Sequence, residues 1–225
     1  MAQSFEGLTI VIPAYNEEES IQKTIREVKK VLSGSAILVV NDGSKDSTEE
    51  RARKEKVEVI SHPTNKGYMA ALSTGMQRAK TPYVGFMDAD MTYHPSYFIP
   101  MLEAVKKNNL GCSWGNRFGG NKNEMPLVRK IGNRIMNILF FLVTGTYVMD
   151  CACGQRVFTK KAIEKLDVAT LPTGLDGITA LSKRIVARRI PFSIVPMNYG
   201  MREGSSKLSI FRHFILMVKN IVRER

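Results

Sequence analysis

Along the first half of the chain, short apolar runs alternate with longer stretches in which apolar residues recur every three or four positions. The short runs are Leu8–Ile12 (LTIVI), Ala36–Val40 (AILVV), Val57–Ile60 and Val84–Met87. Runs this short, closed by polar residues, predict strands buried on both faces. Between the first two, Ile21, Ile25, Val28 and Leu32 form a helical stripe, and Glu17–Glu19 sit favourably in the first turn at its positive end. Asp46 or Ser47 can cap the next helix, and Asn65-Lys66-Gly67 leads into one that reaches Ala79. Strands alternating with helices predict a mostly parallel α/β sheet. The second half is less regular. It reads as a helix over Pro95–Lys107, a strand over Leu110–Gly115, a Gly/Asn-rich loop over Asn116–Glu124 and a helix over Pro126–Val143. A loop over Asp150–Arg156, helices over Thr159–Leu166 and Gly174–Arg188, and a last strand over Pro191–Pro196 follow. Ser209–Arg225 is an amphipathic helix, so residues 1–208 read as one α/β domain and 209–225 as a membrane-proximal or interface helix.

Composition narrows the partners. A formal charge of +12 over 225 residues implies polyanions: nucleic acid, anionic lipid headgroups or phosphorylated substrates. No RNA-binding motif or basic patch interleaved with aromatics appears, so nucleic acid is not an expected partner. Three cysteines, two of them in Cys151-Ala-Cys153, make neither a disulfide framework nor a four-ligand zinc spacing, which suits a reducing compartment. The N-terminus lacks a basic n-region and a long apolar h-region, and Ile135–Val143, with Asn137 inside it, is too short to span a bilayer. The expectation is a cytoplasmic protein, soluble or peripheral on the cytoplasmic face of a membrane.

The candidate chemistry lies where apolar runs end. Tyr83–Met87 stops abruptly at Asp88 and Asp90, which places both carboxylates at the carboxyl end of a strand, where open α/β sheets bind ligands. Two carboxylates at that spacing can share a hard divalent cation whose remaining ligands are substrate phosphates, and so neutralise a diphosphate leaving group. A solvated Asp-rich turn has the same local sequence. Tyr15, Glu17 and Asp42 also fall at strand ends, which predicts one cleft at one edge of the sheet.

Four segments in order, VIPAYNEEESI, VVNDGSKDST, NKGYMAAL and MDADMTYHP, resemble the family 2 glycosyltransferases with the Rossmann-like GT-A fold. Further on, GNRFGG, DCACGQR and REGSSKLS resemble the polyprenyl-phosphate sugar synthases, among them the dolichyl-phosphate mannose synthases. The resemblance implies inverting, metal-dependent transfer of a hexose from a nucleotide diphosphate sugar, GDP-mannose being favoured, to dolichyl or polyprenyl phosphate. It puts Pro13, Tyr15 and Glu17 in the nucleotide pocket and Val40 and Asp42 at the base and ribose. Asp88, Ala89 and Asp90 would hold the diphosphate, with Asp88, Asp90 and Thr92 at a Mg²⁺ or Mn²⁺ ion. Arg117, Arg202 and Lys207 would take phosphate oxygens, and Asp90 and Arg117 would carry catalysis. Each residue also has a plainer reading: Pro13 and Tyr15 as a turn, Asp42 as an Asx-turn residue, Arg117 as loop solvation, Arg202 and Lys207 as basic tail residues.

The chain departs from that pattern at Thr92, where the synthases often carry glutamine. It also departs in the loop Asp150–Arg156, which keeps only the Asp and Gly of a DPMSGF-like stretch, and in an arginine one residue nearer its lysine in REGSSK. All of these lie on the sugar and acceptor side. An alternative is a family 2 enzyme acting on a hydroxyl of a polysaccharide or glycolipid, with Asp176 as its base; Asp176 reads equally as a helix cap. A lipid acceptor requires a membrane surface. The C-terminal amphipathic helix and Arg129–Val143 are the two segments able to meet one, unless they pack on the sheet or on another subunit. A separate membrane-anchoring subunit is left open.

Overall fold

The computed structural model describes residues 4–201 and 210–223, with side chains of the last helix described over 215–221. A seven-stranded sheet runs through the molecule in the order β3-β2-β1-β4-β6-β5-β7. Its strands are β1 (Leu8–Ala14), β2 (Ala36–Asn41), β3 (Glu58–Ser61), β4 (Tyr83–Phe86), β5 (Cys112–Asn116), β6 (Arg156–Thr159) and β7 (Phe192–Pro196). Seven helices flank it: α1 (Ile21–Val31), α2 (Thr48–Lys54), α3 (Tyr68–Arg78), α4 (Phe98–Lys107), α5 (Leu127–Thr144), α6 (Lys160–Leu166) and α7 (Gly177–Ala187). An eighth, α8 (Ile210–Arg223), packs against α5 and α7.

All seven residues of β1 are buried, as a central parallel strand covered on both faces requires. The chain leaves β1 for β2 and β3 on one side and returns to β4 on the other. The strand order therefore reverses at β1, and a crevice opens beyond its carboxyl end. β2, β1 and β4 all run parallel, so Asp42, Tyr15 and Asp88 emerge at one edge.

The mostly parallel sheet agrees with the expectation, and the differences are local. Arg156–Thr159 is a strand, where the sequence suggested a loop ending at Arg156. β6 pairs antiparallel with both β4 and β5, and Arg156 lies opposite Phe86 and Trp114. An arginine is rarely fully buried, yet Arg156 is, with its guanidinium 5.0 Å from the Trp114 ring and donating to the carbonyls of Cys151 and Cys153. The acidic stretch Glu17–Glu19 precedes its helix instead of forming the first turn. The Glu17 amide donates to Thr48 Oγ1, the Glu18 amide to Asp46, and Arg51 to the Glu18 carbonyl, so α1 begins only at Ile21. Of the two possible caps of α2, Asp46 accepts from the Thr48 amide at 3.0 Å, while Ser47 makes no side-chain cap bond. Among the described residues no helix is long and apolar enough to cross a membrane.

Candidate active site

Two cavities meet beyond the carboxyl ends of the central strands. The first, of about 300 Å³, is lined by Pro13, Tyr15, Glu17, Asp42, Asn65 and Ala89, among others. The second, of about 160 Å³, lies between the sheet edge and α5, α7 and α8, with Arg117, Arg129, Asn133, Met136, Ile178 and Met217 in its wall. Tyr68, Asp88, Asp90 and Leu175 line both, so the paired carboxylates stand at the junction.

Tertiary contacts hold each carboxylate. Tyr68, the first residue of α3, donates its hydroxyl to Asp88 Oδ1 at 2.6 Å. Burial, and then the neighbouring Asp88 charge, push the Tyr68 phenol well above its ordinary range, so it keeps the proton it donates. On the other side of Asp88 stands Gly154. A Cβ there would lie 2.9 Å from Asp88 Oδ2 and 3.2 Å from the Tyr68 hydroxyl, so any larger residue would push the carboxylate from its present position. The antiparallel pairing of β6 with β4 delivers Gly154 there, because the residues before Arg156 must lie beside those after Phe86. Asp90 is buried, and its Oδ1 accepts from both the amide and the hydroxyl of Thr92, at 3.1 and 2.6 Å. Between them Met91 takes a left-handed backbone (φ 61), which is uncommon for a residue with a side chain and turns the segment sharply away from the strand.

Asp42 is almost fully buried at the end of β2. Its Oδ1 accepts from His62 Nδ1 at 2.7 Å and from the Lys66 amide at 2.9 Å, and its Oδ2 from the Gly67 amide at 2.8 Å. Arg117 donates Nε and Nη2 to the two oxygens of Asp150, both at 2.6 Å, in a buried bidentate pair. Burial alone would lower its affinity for a proton, but the Asp150 carboxylate prevails and holds the guanidinium protonated.

The expected site residues thus divide. Pro13, Tyr15, Glu17, Asp42, Asp88, Ala89 and Asp90 come together in the first cavity, and Arg117 stands in the wall of the second. Three expected residues lie outside both linings. Val40 is fully buried in the core, where its Cγ2 faces Gly75 of α3, and it lines neither cavity. Thr92 is buried and lines neither cavity; its hydroxyl donates to Asp90 and so braces that carboxylate. Asp176 is also outside both linings, and at the start of α7 it accepts from Asn220, which ties α8 to that helix. Arg202 and Lys207 lie outside the described residues. Sequence reasoning missed Tyr68, His62, Asp150 and Gly154 as working parts. Tyr68 had a local signal, its place directly after Asn65-Lys66-Gly67; the others owe their roles to contacts across the fold.

As a metal site the donor set is incomplete by itself. Among the described residues no group of three or more His, Cys, Asp or Glu side chains could enclose an ion. Two hard carboxylates at the mouth of a cavity fit a cation of the Mg²⁺ or Mn²⁺ kind that takes its other ligands from phosphate and water.

Comparison with known proteins bears on the family and the fold. Residues 9–167 match the family model described as glycosyl transferase family 2. An uncharacterised protein of Methanocaldococcus jannaschii is 32% identical over 92% of this chain and 89% of its own length. A dolichyl-phosphate hexose transferase of Haloferax volcanii is 29% identical over 98% of this chain and 94% of its own. Among solved structures, glucosyl-3-phosphoglycerate synthase of Mycobacterium tuberculosis, in complex with Mn²⁺, UDP and glucosyl-3-phosphoglycerate, superposes with a TM-score of 0.75. At 18% identity, over 96% of this chain and 79% of that one, the likeness speaks for the fold. A GT-A sheet with paired aspartates at its switch point and a family match over most of its length make this chain a glycosyltransferase that belongs to glycosyl transferase family 2.

Proposed function

We propose that the enzyme transfers a hexose, with inversion, from a nucleotide diphosphate sugar to the phosphate of a polyprenyl or dolichyl lipid. The observation that carries this reading is the shared junction: among the described residues two neighbouring cavities have Asp88, Asp90, Tyr68 and Leu175 in common. The nucleotide occupies the first cavity, its diphosphate lies at the aspartates, and the acceptor enters through the second.

The second cavity argues for an anionic acceptor. Arg117 and Arg129 are in its wall, and among the described residues that wall has no carboxylate beyond Asp88 and Asp90 and no histidine to serve as a base. A hydroxyl acceptor needs such a base, and Asp176 is held by Asn220 outside the lining. A lipid phosphate is already an anion near neutral pH. Its oxygen attacks the anomeric carbon as the bond to the diphosphate breaks, and the nucleoside diphosphate leaves with that electron pair. Asp88 and Asp90 would hold a Mg²⁺ or Mn²⁺ ion that supplies positive charge for the departing diphosphate. Tyr68 and Thr92 fix the two carboxylates beforehand, so little reorganisation is needed during reaction. Asp150 occupies two nitrogens of Arg117, and Nη1 is the one left to meet a phosphate oxygen.

Access from a membrane follows from α5. Val128, Gly132 and Met136 face the second cavity. On the adjacent face Leu127, Ile131, Ile135, Ile138 and Leu142 recur at helical spacing, each at least 49% exposed. An apolar stripe of that length flanked by Arg129, Lys130 and Arg134 suits peripheral seating in an anionic interface, beside the cavity the lipid head must enter.

The test is transfer of labelled sugar from GDP-mannose and, separately, from UDP-glucose into polyprenyl phosphate in vesicles, with Mn²⁺ or Mg²⁺. Metal-dependent product, reduced at least about a hundredfold by Asp90→Ala, is the expected result. Binding of a nucleotide sugar without transfer to any lipid phosphate would overturn the acceptor assignment.

A further inference from the structure

The motifs leave the donor base open between guanine and uracil, with GDP-mannose favoured, and the hydrogen bonds of Asp42 decide between them. The inference rests on the donor reading of the first cavity. β2 and β4 flank β1, so Asp42 and the aspartates at the junction are separated by two strand spacings, about 10 Å. That is roughly the reach of a nucleoside from its diphosphate, which puts the base against Asp42.

A carboxylate only accepts, and each of its oxygens has two lone pairs to offer. Asp42 Oδ1 already has two donors, His62 Nδ1 and the Lys66 amide. Because Asp42 accepts, the proton of that pair sits on His62 Nδ1; Nε2, 3.0 Å from Thr74 Oγ1, holds the ring from its other end. Oδ2 has one donor, the Gly67 amide, whose left-handed backbone (φ 107) aims it back at the strand end. The arrangement leaves one acceptor position, on Oδ2.

Guanine presents an N1–H and an adjacent amino group, and a carboxylate that reads it does so with both oxygens. Here the amino group would meet the filled Oδ1, and a donor would be left unpaired against the buried Asp42. Uracil presents a single ring N–H between two carbonyls. That N–H fits the one vacancy, and the amide of Asn65, in the same cavity, can serve a carbonyl. Cytosine and adenine carry a lone pair at the corresponding ring nitrogen and would face Oδ2 with it. We propose that the donor is a uridine diphosphate sugar, and that His62 is the positioning residue that sets this preference by filling Oδ1 of Asp42.

The experiment is calorimetric titration of the whole protein, in Mn²⁺, with UDP, GDP and N3-methyl-UDP. UDP should bind more tightly than either by about tenfold or more, the worth of one hydrogen bond to a charged group. His62→Leu opens Oδ1 and should narrow the gap between UDP and GDP, a change that a purely structural role for His62 would not produce. The comparison of the three nucleotides on the unaltered protein stands even if that variant fails to fold. GDP binding as tightly as UDP, or N3-methyl-UDP binding like UDP, overturns the base assignment and leaves the donor reading intact. Failure of every nucleotide diphosphate to bind overturns both.

Discussion

Asp88 is held between a hydroxyl on one side and a bare backbone on the other, and small changes to either should register. Gly154→Ala puts a methyl group 2.9 Å from Asp88 Oδ2, which the carboxylate must yield to. The expected outcome is a loss of roughly tenfold or more in Mn²⁺-supported nucleotide affinity, with the urea midpoint changed little, since only a cavity wall is disturbed. Tyr68→Phe removes one hydrogen bond to a charged group, about 1.5–3 kcal/mol, and should lower kcat/KM by about tenfold or more while the fold persists. Steady-state kinetics beside a metal titration check both. At this scale the sequence revealed the acids and not their holders. Asp42, Asp88 and Asp90 stand where an apolar run stops, a purely local signal. Nothing local tells that His62 or Gly154 stands against one of them.

Among the elements, β6 and α5 carry the consequences. β6 is four residues long and begins with arginine, so neither period nor composition marked it as a strand. Its place between β4 and β5 nevertheless brings the loop 150–155 to the aspartates. Arg156 fastens that loop from beneath through the carbonyls of Cys151 and Cys153, and burial lowers the proton affinity of its guanidinium. On α5 the exposed stripe is legible from helical spacing alone, whereas the side of the helix left uncovered is not. Replacing Ile131 and Ile138 together by aspartate removes two apolar contacts with lipid, each about 1.5–3 kcal/mol when fully buried. Co-sedimentation with anionic vesicles should fall at least about tenfold, and nucleotide binding should be unchanged. Unaltered co-sedimentation would remove α5 from the membrane interface.

For the molecule as a whole, the three cysteines report on the integrity of the core. All are buried, and burial pushes each thiol from 9.0 up to about 12. The folded state thus favours the protonated form. That contribution is fully present below about pH 9 and is lost as pH rises towards 12, at up to about 1.4 kcal/mol per thiol per pH unit. The urea midpoint should fall steeply above pH 9, and alanine at Cys112 should make that fall shallower. A thiol reagent at neutral pH should label none of the three in the native protein and all of them in urea. By itself the sequence determined the alternation of strand and helix, the parallel half of the sheet and the acids at its edge, because hydrophobic period and turn chemistry act between near neighbours. Only the tertiary structure decided that β6 enters the sheet antiparallel, that Val40, Thr92 and Asp176 stay out of the cavity linings, and that Asp42 has one acceptor position to spare. Those outcomes depend on which residues, far apart in the chain, are packed against each other and compete for the same lone pairs.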